Sequence, residues 1–316
     1  PGPVVGKLVS KVKLTARILY VIYAVLTVIL IILLVLGGMS LFDSMLMAFG
    51  TAGTGGFGIK NNSAMYWDSA YIEGVLTVFM ILFGINFNLI YFAILGRIKE
   101  VLRSEELRWY LSIIFIAIAL ITINTLPMYS SILQAFRYAS FQVGSIITTT
   151  GYVSYNYDTW PLFSQMILLA LMFIGACSGS TGGGIKVSRV VVYFKNARNE
   201  LRRLIHPHSI KTVEFEGQPI DESVNRNIHA YLAVYLALFA VSLLIVSLNN
   251  FDFKTTFSAV TTCFNNVGPG LEVVGAVGNF APLSDCSKIV LSFDMLAGRL
   301  ELFPLLLLFS PSLWRK

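Results

Sequence analysis

Six stretches of this 316-residue chain are apolar over about 20 residues, the length that crosses the hydrocarbon core of a bilayer. They run approximately over 17–38, 72–96, 107–127, 160–177, 228–249 and 286–310, the fourth continuing in broken form to about 204. In lipid every backbone N–H and C=O needs an internal partner, so a spanning segment of this length is read as a helix. Composition agrees, with 56% hydrophobic and 13% charged residues and a mean hydropathy of +0.73; soluble domains carry about 25% charged residues. Disordered, collagenous and disulfide-stapled classes are excluded by the same figures. Cys177, Cys263 and Cys286 are odd in number, far apart and outside any CxxC or Cys/His spacing, so they read as packing residues. His206, His208 and His229 read as surface or interfacial groups.

Between the members of each successive pair of spans lies a segment too short to cross: 40–58, 130–153 and 252–270. Each is apolar over roughly 10 to 14 residues, which predicts a re-entrant half-helix, and each ends in a glycine-rich turn. The order span, half-helix, glycine turn, span therefore occurs three times. Gly56 and Gly151 are 95 residues apart and Gly151 and Gly268 are 117 apart, a repeat of about 100 residues. The repeat divides the chain into units at 1–106, 107–225 and 226–316.

Lys and Arg flanking spans collect on the cytoplasmic side. With both termini placed inside, 18 of the 23 basic residues fall there, Lys60, Arg137, Lys254 and Lys288 fall outside, and Arg299 lies within a span. This orientation accounts for the net charge of +6 without invoking nucleic acid, for which there is no aromatic-rich basic patch. Asp43, Asp68, Glu73, Asp158, Asp252, Glu272 and Asp285 share the outer side with the glycine turns, which predicts an acidic, cation-gathering mouth.

Irregular backbone is tolerated at membrane depth only where it is buried in protein or lines a wet cavity. Three such turns imply one shared cavity. In register they read Thr54-Gly55-Gly56-Phe57-Gly58, Thr149-Thr150-Gly151-Tyr152-Val153 and Asn266-Val267-Gly268-Pro269-Gly270. Each resembles the Thr-Val-Gly-Tyr-Gly strand whose carbonyls replace the hydration shell of potassium. Glycine admits backbone angles that aim successive carbonyls at one axis, and a Thr hydroxyl or Asn amide adds oxygens at the inner edge. Potassium, large and singly charged, needs no carboxylate there.

With these motifs, and with GMSLFDSMLMAFGTAGTGGFG (38–58), ITTTGYVSYNYDTWP (147–161), CSGSTGGGIKVSRV (177–190), TTCFNNVGPGLEVVG (261–275) and GRLELFP (298–304), the chain resembles the Trk/Ktr/HKT superfamily of potassium transporters, most closely the TrkH-type uptake subunits. The resemblance implies an all-α polytopic membrane protein of repeated span, pore helix, filter loop and span units around a central pore. It implies potassium uptake across the bacterial inner membrane, with K+ as the transported ion, no organic cofactor, a homodimer, and a cytosolic nucleotide-binding TrkA-type ring as regulatory partner. The family has four units; the three here resemble its second, third and fourth. Together with a start at Pro1, this predicts that the first lies outside the chain. Two alternatives stay open: a non-conducting structural or regulatory membrane subunit, and a sodium-permeable member of the same family. An intramembrane enzyme is disfavoured, since no HExxH, paired aspartate or Ser/His pair lies at depth.

The fourth span breaks at Gly175, and Gly179, Ser180, Thr181, Gly182, Gly183 and Gly184 cannot hold a helix. The Gly-Lys-Ser/Thr of a phosphate-binding loop is absent, because Ile185 precedes Lys186 and Val187 follows. In the resembled family this run is an intramembrane gate beneath the filter. Arg299 lies near the middle of the last span with Glu301 two residues on; positions two apart on a helix do not face each other. Arg299 is therefore expected to face the pore as a barrier to cations, as its counterpart does in the family. The basic stretch 195–226 reads as an exposed hairpin at Val213, Phe215 and Gly217, serving as a lipid anchor or, by resemblance, as the docking place of the regulatory ring.

Overall fold

Among the described residues, 12–206, 212–300 and 302–308 of this computed structural model, thirteen α-helices carry almost all the regular structure. Lys7, Lys11, Lys211, Arg315 and Lys316 of the charge argument, both termini, Pro207, His208 and Glu301 lie outside the described residues.

The first unit opens with α1 (Val12–Leu36), which stops where Gly38 turns left-handed at φ 90°. Ser40 then caps α2 (Leu41–Ala52), its hydroxyl accepting from Asp43 N at 3.1 Å. After the glycine turn come α3 (Ala70–Phe83), α4 (Phe87–Ile94) and α5 (Ile98–Arg103). The second unit repeats the order with α6 (Glu105–Thr125), α7 (Ile132–Ile147) capped by Ser131, α8 (Leu162–Ile174) and α9 (Val187–Ile205). A two-stranded antiparallel hairpin, β1 (Glu214–Phe215) and β2 (Gln218–Pro219), leads to the third. There follow α10 (Glu222–Ser247), α11 (Phe253–Phe264) capped by Asp252, α12 (Asp285–Leu300) and α13 (Leu302–Leu308). Helices α6 and α10 begin at Glu105 and Glu222, so the unit boundaries expected after 106 and 225 cut into their first turns.

Of the six expected spans, three are continuous helices long and apolar enough to cross a bilayer: Lys13–Leu36, Glu105–Met128 and Glu222–Ser247. Each leads its unit, and in the first two units the helix after the turn is broken. The stretch read as one span over 72–96 is a correction: α3 and α4 meet at 102°. At 14 residues α3 is about 21 Å long, short of the hydrocarbon thickness of about 30 Å. Gly84 ends it, and Asn86 starts α4 by accepting from Asn88 N at 2.9 Å.

Three apolar cores follow the three units, and each unit reaches into the one before it. Phe141 and Tyr152 of the second unit are buried in the first core with Leu30, Met47 and Met80. Val267 and Leu271 of the third are buried in the second core with Tyr110, Ile146 and Leu168. Tyr152 is fully buried, and its hydroxyl donates toward Met47 O at 3.0 Å and Phe57 O at 3.2 Å. A Cβ at Gly50 would lie 2.2 Å from that hydroxyl. Gly50→Ala should therefore cost about 1–3 kcal/mol through overpacking, and Tyr152→Phe in the same chain should recover part of it. Thermal unfolding in detergent checks this; equal loss with and without the phenylalanine would show that the contact is not the cause.

Candidate functional site

The three glycine turns share one backbone design. Thr54, Thr149 and Asn266 are left-handed at φ 49°, 58° and 57°, and two residues on Gly56, Gly151 and Gly268 are left-handed again at 64°, 82° and 106°. Each turn bonds back to its half-helix at the same offsets. Gly55 N, Thr150 N and Val267 N donate five residues back, to Gly50 O at 2.8 Å, Ser145 O at 2.9 Å and Thr262 O at 2.9 Å. The left-handed residue before each donates three back, to Thr51, Ile146 and Cys263 carbonyls. Half-helices α2, α7 and α11 thus deliver their C-terminal, negative dipole ends to the turns.

The strands lie side by side in chain order. A Cβ at Gly56 would sit 1.8 Å from Thr150 O, and one at Gly151 would sit 1.9 Å from Val267 O. Gly268 has open space within 4 Å. On that side a cavity of about 550 Å³, lined by Thr54, Gly55, Phe57, Asn266, Gly268 and Arg299, separates the third strand from the first. The rims are also tied, Tyr157 Oη donating to Gly270 O at 2.8 Å and Ser145 Oγ to Tyr152 O at 2.6 Å. The neutral oxygens of this site fit a monovalent cation, and no His, Cys, Asp or Glu cluster able to hold a metal occurs among the described residues.

The glycine run lies directly against the strands' Thr and Asn residues. Its base is zipped by Ile185 N to Phe173 O, Lys186 N to Ile174 O and Val187 N to Ala176 O, at 3.1, 3.0 and 3.1 Å. Gly184 belongs to this base, packed on Gly175, whereas Thr181, Gly182 and Gly183 reach the strands. Thr54 Oγ1 donates toward Thr181 O at 2.9 Å, and Gly183 N donates to Thr149 Oγ1 at 2.7 Å. The hydroxyls expected as inner-edge ion ligands are engaged by the loop in this structure. Asn266 Nδ2 donates to Met295 O at 3.1 Å. Gly179 and Ser180 form the turn beside the bend between α3 and α4, with Phe87 N donating to Gly179 O at 3.2 Å. Lys186 Nζ donates to Gly182 O.

Arg299 reaches the first strand from α12, with Nη2 donating to Gly53 O at 2.9 Å and Nη1 toward Thr54 Oγ1 at 3.4 Å. Glycine run, arginine and strands therefore meet at one place. Gly53, Asn86 and Ser145 escaped the sequence reading; the Gly-Ile-Asn in the middle of an apolar run at 84–86 was the available signal for the bend.

Several acids on the side expected to face outward are paired. Arg137 forks onto buried Glu73, through Nε and Nη2 at 2.8 Å each, and reaches Asp68 at 3.0 Å. Lys254 pairs with Glu272, and Lys288 lies 3.6 Å from Asp285. Asp158 accepts from Glu272 N at 3.0 Å, and burial raises its carboxyl above the usual range. Arg137, Lys254 and Lys288, three of the four cations expected outside, thus face acids expected on the same side.

The family model of TrkH, a cation transport protein, matches residues 4–316. The chain belongs to the TrkH family. It is 35% identical over 323 residues to the Trk system potassium uptake protein TrkH of Escherichia coli K12, covering all of this chain and 66% of that protein. It is 32% identical over 321 residues to the Trk system potassium uptake protein TrkG of the same organism. The crystal structure of the potassium transporter TrkH from Vibrio parahaemolyticus superposes with a TM-score of 0.90 at 35% identity, over 98% of this chain and 67% of that one. The chain thus spans about two thirds of the length of these relatives. Membership of the TrkH family places it among polytopic, mostly helical membrane transport proteins and not among enzymes.

Both sources of constraint at the strand glycines are separable. Gly151→Ala meets a carbonyl and a left-handed φ together, Gly268→Ala the left-handed φ alone. The second should cost about 1–2 kcal/mol of left-handed strain and the first more than that. Thermal unfolding in detergent checks the order; equal losses would deny the strand-to-strand contact.

Proposed function

We propose that this chain carries the permeation path of a potassium uptake protein of the bacterial inner membrane. Strands 54–57, 149–152 and 266–268 make three sides of a carbonyl-lined filter. The observation that carries the reading is the backbone pattern, left-handed at the same two positions of three turns. It is supported by the names of the relatives, which are potassium uptake proteins. Three negative helix ends converge on the site and favour a dehydrated cation at no cost in carboxylates. Inward movement is driven by the membrane potential, about 2.3 kcal/mol per unit charge per 100 mV.

The loop at 177–186 is the gate and Arg299 the fixed barrier beneath the filter. The three repeat units pack around the path, with both ends of the chain and the hairpin on the cytosolic side. A homodimer carries a TrkA-type regulatory ring against the basic face of α9, where Lys195, Arg198, Arg202 and Arg203 lie. A fourth strand set between Gly268 and Gly55 closes the ring. That open side favours one second reading, in which the 316 residues alone are a non-conducting subunit until such a strand is supplied.

Rubidium uptake into proteoliposomes of the full-length gene product, with a potential imposed and the partner present, tests the proposal. Uptake equal to empty vesicles sinks it, and uptake of sodium with equal ease moves the chain to a sodium-permeable class. Unit charges 8 Å apart at an effective dielectric of 20 repel by about 2 kcal/mol. Arg299→Ala should accordingly raise flux several-fold, to a limit of roughly 30-fold. A flux unchanged in folded protein removes the arginine from the barrier.

A further inference from the structure

Glu106 stands outside the filter, the glycine run and the arginine contact, yet its buried carboxylate grips both ends of the loop. Oε1 accepts from Ser178 N at 2.6 Å and from Ser188 N at 3.2 Å. Those residues are ten apart, one entering the loop and one in the first turn of α9, and their hydroxyls face each other at 2.5 Å. Helix α9 has no cap of its own: Lys186, at its N-cap, makes no side-chain capping bond. A helix N-terminus exposes unpaired N–H groups and the positive end of the dipole, which an anion satisfies. Glu106 supplies that anion from another helix.

The grip is itself held in place from the polar face. Glu216, at the tip of the hairpin, accepts from Ser104 Oγ at 2.8 Å, Glu105 N at 3.0 Å and Glu106 N at 2.9 Å. It therefore caps α6 as Glu106 caps α9. Lys195 of α9 donates to Glu214 O at 2.7 Å, closing the circuit between hairpin and helix. A cavity of about 700 Å³ whose walls include Asn86, Glu106 and Glu216 runs beside the clamp.

We infer that Glu106 is the positioning residue of the intramembrane loop, holding its tip against Thr54 and Thr149 by clamping Ser178 and Ser188. The inference rests on the proposal that the loop is the gate. Glutamine at 106 keeps a carbonyl oxygen in reach of both amides; alanine keeps none.

The experiment is rubidium flux through the full-length protein in vesicles, with Glu106→Gln, Glu106→Ala and a deletion of 180–183 that removes the loop tip, alone and combined. The tip deletion should raise flux. Glu106→Ala should raise it about 3–10-fold, Glu106→Gln should stay within about twofold of the parent, and Glu106→Ala should add nothing once the tip is gone. If the tip deletion leaves flux unchanged, the gate reading fails and the inference falls with it. If the deletion raises flux while Glu106→Ala does not, or adds equally in both backgrounds, the gate stands and Glu106 does not position it. Should Glu106→Ala not fold, Glu106→Asp, one methylene short of the two amides, carries the same comparison.

Discussion

Backbone at membrane depth that is neither helix nor barrel has no water to bond to, and each of the three turns here must find its partners within the protein. The solution is the same each time. The half-helix is capped at its far end, its last turn receives two N–H groups from the strand, and the strand then leans on its neighbour. Capping sets the helix direction, helix direction sets the dipole, and the left-handed positions aim the strand. The requirement for glycine at 56 and 151 follows from the approach of the next strand's carbonyl, more than from the turn itself. One constraint thus links the residue type, the order of the units and the charge environment of the proposed filter.

The architecture was legible because that constraint is periodic. Three apolar half-helices ending in glycine at one repeat distance admit few other folds, and the glycine run at 179–184 excludes a helix on composition alone. The hairpin was legible from Val213, Phe215 and Gly217, although Phe215 is buried at 2% exposure, not displayed on the surface. What stayed hidden depends on tertiary partners. The 102° bend after Phe83 is marked in the sequence only by Gly84 and Asn86 within an otherwise apolar stretch, and its freed groups are satisfied from the distant loop, Cys177 N donating to Gly84 O at 3.0 Å. The pairing of outer acids with Arg137 and Lys254 joins residues 64 and 18 positions apart. Arg299 was predicted to face inward, but nothing in its neighbourhood names Gly53, 246 residues away, as its acceptor.

Competition for the same atoms gives the site its logic. The hydroxyls of Thr54 and Thr149 are the side-chain oxygens best placed to finish the inner edge of the proposed filter, and in this structure both are bonded to the glycine loop. An oxygen whose lone pair accepts Gly183 N–H has less to offer an ion, and a hydroxyl turned toward Thr181 O must turn back to coordinate one. If the loop is the gate, as proposed, closing the path and disarming its inner edge are the same contact. A carbonyl-rich loop of small residues is suited to this, since it meets the strands with donors and acceptors from the backbone alone. Arg299 extends the same principle: by holding Gly53 O at the end of α2 it places a positive charge where the helix dipole is most negative. On the proposed path, a cation arriving at the first strand would meet a dipole already answered, so the loop and the guanidinium each add to the barrier there.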